Sequence, residues 1–340
     1  MSRLSDIAHQ LVAPGKGILA ADESTGTIKK RFDSIGLEST ETNRRDYREM
    51  LFGADEAMRD YISGVILFDE TIRQSAADGT PFVEMLKANN CLPGIKVDTG
   101  AKPLPNFPGE TVTEGLDGLR DRLAEYARIG AAFAKWRGVI AITDYAPTRA
   151  AIVANAHALA RYAALCQEAG IVPIVEPEVL ADGNPGTHTI DTCERVTTEA
   201  LVEVFEQLRI AGVALDGIIL KPNMVIPGIN GPKVSVEEVA ERTVHTLKAT
   251  VPAIVPGIAF LSGGQTSEQA SANLSAMHKL GNLPWGLTFS YGRALQAEAL
   301  AAWGGKPENV EAGRKAFVHR AKMNSLASLG RWEPEFDKAA

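Results

Sequence analysis

Lys221 ends the apolar run in the segment Asp216-Gly217-Ile218-Ile219-Leu220-Lys221-Pro222-Asn223-Met224. A glycine opens three large apolar residues, a lysine ends them, and a proline then removes a backbone donor. The pattern predicts a strand that stops with one ammonium at the mouth of an α/β core. Taken alone, the more ordinary reading is a solvated lysine at a strand end, because lysine is seldom buried. The rest of the chain repeats the arrangement with other polar residues, and this repetition changes the reading. Apolar runs also end on Asp22, on Lys96 and Asp98, on Lys135 and Arg137, and on Glu176 and Glu178.

A free lysine has a pKa near 10.4, so only about one in 2,500 is an uncharged nucleophile at pH 7. Burial and a second nearby cation both favour the neutral amine. Lys221 with Lys135 in one crowded pocket would have both. A neutral amine beside a carboxylic acid can form a Schiff base with a ketone: the amine attacks, and the acid protonates the departing carbinolamine hydroxyl. Glu176 suits the acid, and Asp22 a base or hydroxyl-orienting group. Strand alternation turns Lys135 and Arg137 to one side and Trp136 to the other, pairs Lys96 with Asp98, and pairs Glu176 with Glu178 across Pro177. An ion-pair network closing a barrel mouth accounts as well for Arg137, Asp98 and Glu178.

Eight strand candidates carry these residues: Gly17 to Asp22, Gly64 to Glu70, Pro93 to Asp98, Phe133 to Arg137, Ile171 to Glu178, Gly217 to Lys221, Gly257 to Gly264 and Gly286 to Arg293. Helical patterns lie between most of them. The clearest run from Pro147 to Gly170, with proline near the start and glycine at the end, and from Thr198 to Ile210, with Leu201, Val204, Phe205 and Leu208 at helical spacing. Such alternation predicts parallel βα units, and eight of them predict an α/β fold, the (β/α)8 TIM barrel. A doubly wound open sheet is the alternative. No linker divides the chain, so residues 1–330 are expected to form a single barrel domain, with 103–108 a proline-rich loop and 331–340 a loose C-terminal tail.

In a barrel the strands' C-terminal ends meet on one face, and the loops after strands 7 and 8 commonly hold phosphate. Ser262-Gly263-Gly264 and Ser290-Tyr291-Gly292-Arg293 fall at those loops. Glycines let backbone N–H groups approach an anion, helix N-termini attract it, and arginine can bind it bidentately. Thr266 to Gln269 matches a capping box opening the next helix. Two ordinary glycine turns are the alternative reading. The six histidines show no i, i+4 pair suited to zinc, so no metal and no other cofactor is expected.

The chain has 340 residues and a net charge of -7, without the basic footprint of a nucleic-acid binder. Its three cysteines, Cys91, Cys166 and Cys193, are odd in number and form no C-x-x-C motif, which suggests reduced thiols in a cytoplasmic protein. The N-terminus lacks a signal-peptide pattern, and no apolar run reaches the roughly 20 residues that span a bilayer. A soluble protein without nucleic-acid or membrane partners is expected.

Seven blocks, in order, resemble the class I fructose-1,6-bisphosphate aldolases. They are Leu19-Ala20-Ala21-Asp22-Glu23-Ser24-Thr25-Gly26, Gly94-Ile95-Lys96-Val97-Asp98, Phe133-Ala134-Lys135-Trp136-Arg137, Ile174-Val175-Glu176-Pro177-Glu178, Leu220-Lys221-Pro222-Asn223-Met224, Phe260-Leu261-Ser262-Gly263-Gly264-Gln265 and Phe289-Ser290-Tyr291-Gly292-Arg293-Ala294-Leu295. The resemblance implies metal-independent, reversible cleavage of fructose 1,6-bisphosphate, a phosphorylated sugar substrate, to dihydroxyacetone phosphate and glyceraldehyde 3-phosphate, in glycolysis and gluconeogenesis. It implies Lys221 as Schiff-base lysine and Glu176 as acid/base, with Lys135 and Glu178 assisting. Asp22 would handle the C4 hydroxyl and the Schiff-base proton. Ser262, Gly263, Gly292 and Arg293 would bind the C1 phosphate; Ser24, Thr27 and Lys96 would receive the C6 phosphate. Arg137, Gly264 and Ser290 join the expected substrate-binding set. A homo-oligomer, commonly a tetramer, is also implied.

Two positions depart from the animal enzymes. Those end in a flexible tail with a terminal tyrosine that assists proton exchange; here the last tyrosine is Tyr291 and the sequence ends Phe336-Asp337-Lys338-Ala339-Ala340. Thr99 stands where those enzymes carry a further lysine, which would weaken C6-phosphate binding. Other readings of the residues are a Schiff-base aldolase acting mainly on sedoheptulose 1,7-bisphosphate and a non-catalytic phosphate-ligand-binding scaffold on the same barrel.

Overall fold

Eight parallel strands close into one barrel in a computed structural model that describes residues 3–338. They are β1 (Gly17–Ala21), β2 (Ile62–Leu67), β3 (Leu92–Lys96), β6 (Phe133–Ile140), β7 (Val172–Val179), β8 (Ile219–Leu220), β9 (Gly257–Phe260) and β10 (Gly286–Tyr291). Between β3 and β6 a two-stranded antiparallel sheet is added, β4 (Gly100–Pro103) with β5 (Thr111–Glu114). The barrel order is β1-β10-β9-β8-β7-β6-β3-β2, the closed (β/α)8 arrangement rather than an open sheet. The expected proline loop is thus the turn of a hairpin.

Side-chain alternation decides what each strand offers to each side. Ile18, Ala20, Ile66, Phe133, Val172, Ile174, Ile219 and Ala259 fill the barrel interior, with Ala8, Leu11 and Val12 closing its N-terminal end. The intervening Leu19, Val65, Leu67, Ile95, Ala134, Trp136, Val175, Leu220, Ile258 and Phe260 belong to the outer layer, packed with the helices. Phe133 fills the centre because Gly64 and Gly94 carry no side chain; a Cβ at Gly94 would meet its ring at 2.2 Å. Burying one such aromatic side chain stabilises the barrel by about 1.5–3 kcal/mol.

The strands differ from expectation mostly at their ends. β6 runs on to Ile140, whereas β2 stops at Leu67 and a short helix, Asp69–Ile72, opens with two carboxylates in its first turn, the favoured end of the helix dipole. β8 keeps only two ladder residues, so Lys221 stands just past it. The helix expected from Pro147 to Gly170 spans Arg149–Glu168, capped by Thr148, whose side chain accepts from Ala151 N. The next helix begins at Ile190 rather than Thr198. Its first turns carry Thr192, Val196 and Thr197, which lower helix propensity, but burial of Ile190, Cys193, Val196 and Thr197 on one face overrides that.

Trp332 to Asp337, within the expected tail, pack against the barrel's helices, and residues 339–340 lie outside the described residues. Trp332 is 7% exposed and its indole N–H donates to Asp337, which also pairs with buried Arg320 at 2.7 Å. A short helix, Pro334–Asp337, carries that carboxylate. No helix among the described residues is long and apolar enough to cross a membrane.

Candidate active site

The interior alternation continues past the apolar layers into charge. On β1, Ile18 and Ala20 are followed by Asp22; on β6, Phe133 by Lys135 and Arg137; on β7, Val172 and Ile174 by Glu176 and Glu178; on β8, Ile219 by Lys221. Parallel register sets Lys96 beside Lys135 and Arg137 beside Glu176. The ionisable groups therefore form a layer on top of an apolar plug, at the C-terminal mouth of the barrel. Above them opens a cavity of about 1230 Å³.

Four groups make a chain of close contacts. Lys221 Nζ lies 3.1 Å from Glu176 Oε1, and Lys135 Nζ lies 3.0 Å from Glu176 Oε2. Lys135 donates a hydrogen bond to Asp22 Oδ2 at 3.1 Å. Glu176 Oε2 makes no aligned hydrogen bond, so its 3.0 Å approach to Lys135 is a charge contact that leaves a carboxylate lone pair available. Lys135, Glu176 and Lys221 are each 5% exposed or less.

The two lysines have opposite electrostatics. Burial pushes the Lys221 ammonium down; Glu176 and Asp22 pull it up and Lys135 pushes it down again, leaving it below the ordinary lysine value. Burial acts on Lys135 too, but the Asp22 and Glu176 carboxylates outweigh it and hold that ammonium charged well above the ordinary range. For Asp22 and Glu176 burial acts upward, yet Lys135 and then Lys221 outweigh it and keep both carboxyls below their usual values. The two lysines thus differ in proton affinity, Lys221 below the ordinary value and Lys135 above it.

The outer charged groups are paired with one another. Arg137 pairs with Glu178, and Lys96 Nζ lies 2.7 Å from Asp98 Oδ1. All of these residues still line the cavity, together with Ser24, Thr27, Ser262, Gly263, Ser290, Gly292, Arg293 and Thr99. Gly264 does not line it: at φ +75°, it turns against Ala181 and Ile229 behind the loop. Ser290 Oγ is buried without a hydrogen-bond partner, a free hydroxyl at the cavity wall. Tyr291 points the other way, fully buried, its hydroxyl donating to Ala270 O at 3.1 Å.

Helix N-termini supply the anion-attracting edges. Gly292 caps the helix Arg293–Trp303, and Ser24 caps Thr25–Asp33. The expected Thr266–Gln269 capping box is present and opens the helix Ser267–Lys279 beyond the Ser262-Gly263 loop. Sequence reasoning missed Lys30, Arg31 and Ser34, which join Ser24 and Thr27 at the cavity. The signal was available, because Ser24, Thr27, Arg31 and Ser34 fall on one face at helical spacing. Arg73 and Arg122, also lining it, carried no such signal: each comes from a separate βα connection. Among the described residues no group of histidine, cysteine, aspartate or glutamate is arranged to hold a metal ion, and the three cysteines are buried and unbridged.

A closed (β/α)8 barrel with a buried lysine held against a carboxylate at its C-terminal mouth, facing glycine loops and an arginine, has the architecture of a barrel enzyme. The sequence profile of the glycolytic family described as fructose-bisphosphate aldolase class-I matches residues 3–340. The chain is 56% identical over 335 residues to a probable class 1 fructose-bisphosphate aldolase of Xanthomonas axonopodis pv. citri, covering 98% of this chain and 99% of the relative. It is 52% identical to fructose-bisphosphate aldolase C of Rattus norvegicus, over 99% of this chain and 93% of that one. Its fold matches a solved aldolase of Plasmodium falciparum, in complex with TRAP and a small-molecule inhibitor, with a TM-score of 0.94 at 50% identity, covering 97% of this chain and 95% of that one. The chain belongs to the class I fructose-bisphosphate aldolase family and is a carbon–carbon lyase.

Proposed function

We propose that Lys221 is the nucleophile of a reversible retro-aldol cleavage of fructose 1,6-bisphosphate. The observation that carries this is a lysine 3.1 Å from Glu176, buried beside a second cation, with its proton affinity lowered. Lys221 passes a proton to Glu176 across the 3.1 Å contact, and the neutral amine adds to the C2 ketone. Glu176 returns that proton to the carbinolamine hydroxyl, water leaves, and the iminium forms. Asp22 accepts the proton of the C4 hydroxyl as the C3–C4 bond breaks and its electron pair moves into the iminium. Glyceraldehyde 3-phosphate departs. Protonation of the enamine at C3 and hydrolysis of the imine then release dihydroxyacetone phosphate. Lys135 stays charged and holds Asp22 and Glu176 in place, with Glu178 assisting.

Ser262, Gly263, Ser290, Gly292 and Arg293 take the C1 phosphate; Ser24, Thr27 and Lys96 take the C6 phosphate, with Arg137 near the chain of the sugar. Gly264 acts from behind the loop. A cytoplasmic homo-oligomer, a tetramer by family, working in glycolysis and gluconeogenesis, completes the reading. Borohydride reduction in the presence of dihydroxyacetone phosphate tests it, followed by peptide mapping. Label on the Lys221 peptide is expected. Label elsewhere, or turnover surviving Lys221→Ala, overturns it.

A further inference from the structure

The ladder that should hold Lys221 is the shortest in the barrel. β8 has only Ile219 and Leu220, Leu220 being the last residue in register with both neighbours, Val175 of β7 and Ile258 of β9. Lys221 N donates to Val175 O at 2.8 Å, but Pro222 has no N–H to continue the ladder. Beside it, β7 runs on to Val179, so Val179 N lacks the strand partner that a longer β8 would supply.

Asn223 fills that gap with its side chain. Its Oδ1 accepts from Val179 N at 3.0 Å. Its Nδ2 donates to Thr197 Oγ1 at 3.1 Å and to Met224 O at 3.0 Å, with Cys193 Sγ at 3.8 Å. The amide orientation is fixed at both ends, because Val179 N can only donate and Met224 O can only accept. The residue is 4% exposed, so no water substitutes for these partners without rearrangement. One side chain two residues after the lysine therefore ties the end of the strand bearing Glu176 and Glu178 to the Lys221 loop and to the Ile190–Ile210 helix.

We infer that Asn223 is a positioning residue: it substitutes for the missing β8 ladder and sets the spacing between Lys221 and Glu176. This rests on the proposed role of Lys221. Small misplacements at such a centre are costly in rate, on the order of 100-fold for about 1 Å. The test compares wild type, Asn223→Leu, which keeps the branched skeleton of asparagine but removes its side-chain hydrogen bonds, and Thr197→Val, which removes one of them from outside the cavity. Steady-state kinetics and the rate of borohydride trapping with dihydroxyacetone phosphate are measured at a temperature at which circular dichroism shows each protein folded.

For Asn223→Leu, kcat and the trapping rate are expected to fall together by about 10- to 100-fold while KM stays within about twofold; Thr197→Val falls in the same pattern by a smaller factor. Folded Asn223→Leu with trapping and kcat within twofold of wild type overturns the inference. If Asn223→Leu does not fold, Thr197→Val decides: an unchanged trapping rate overturns it, and a reduced rate at constant KM supports it. Failure of the wild type to trap ligand would instead strike at the role of Lys221.

Discussion

Lys221 and Glu176 face each other at 3.1 Å from adjacent strands, although 45 residues separate them in sequence (221 − 176). The register of β7 on β8 puts Leu220 beside Val175, and each strand's next residue is the charged one. The amine and the acid of the proposed chemistry are thus neighbours by strand pairing.

Replacing Glu176 with Gln removes the acid and one charge that holds Lys221 protonated. Turnover should fall by about 100- to 10,000-fold, the usual weight of a general acid. The pH midpoint for the rate of Schiff-base formation should move to lower pH, since the remaining influences on Lys221 favour the neutral amine. A midpoint that rises contradicts the electrostatic account.

Lys135→Met should move the same midpoint the other way. Burial and Lys135 push the Lys221 proton off, and removing Lys135 leaves burial alone against Glu176 and Asp22, which hold that proton on. The midpoint should rise toward the ordinary lysine value of about 10.4. Stopped-flow measurement of imine formation across pH would read both variants on one scale.

Arg293→Ala should act on binding. If Arg293 holds a substrate phosphate, its loss removes a charge-assisted hydrogen bond worth about 1.5–3 kcal/mol, and KM for the bisphosphate should rise about 10- to 100-fold. An unchanged KM would place the C1 phosphate elsewhere.

Asp22 and Glu176 have folded-state pKa values below their unfolded ones, so they contribute stability at neutral pH that is lost as pH falls below about 4. Asp22→Asn should lower the urea midpoint at pH 7 and narrow the gap between the midpoints at pH 7 and pH 3. Parallel losses in wild type and variant would show that Asp22 has no part in acid unfolding.

Asp337→Ala should cost about 3–5 kcal/mol, because Arg320, only 4% exposed, would keep a buried charge without its partner. Urea denaturation checks this. Activity measured on the folded protein should change little if the end of the chain serves stability alone.

Most of the site was legible because a strand imposes a period of two. Lys135 and Arg137 share a face, as do Glu176 and Glu178, and apolar runs ending on charge mark strand ends whatever surrounds them. Glycines beside Ser262 and Arg293 mark loops where backbone can approach an anion. Arg73 and Arg122 were not picked out, because a basic residue on a helix or loop carries no sign of facing a cavity rather than water, whereas Arg31 shares a helical face with Ser24 and Thr27 and was within reach of the pattern. The length of β8 and the pairing of Asp337 with Trp332 and Arg320 were equally hidden, since they depend on tertiary contacts.

The sequence by itself therefore determined which residue types stand at which strand ends, and with them the family resemblance and the order of the barrel's units. Tertiary structure alone decided which of two similar lysines holds its proton less tightly. Both are buried, but Lys135 lies between two carboxylates while Lys221 touches one and is repelled by Lys135. That difference comes from distances across four strands, and proton affinity depends on distance and solvent exclusion, which no local pattern encodes.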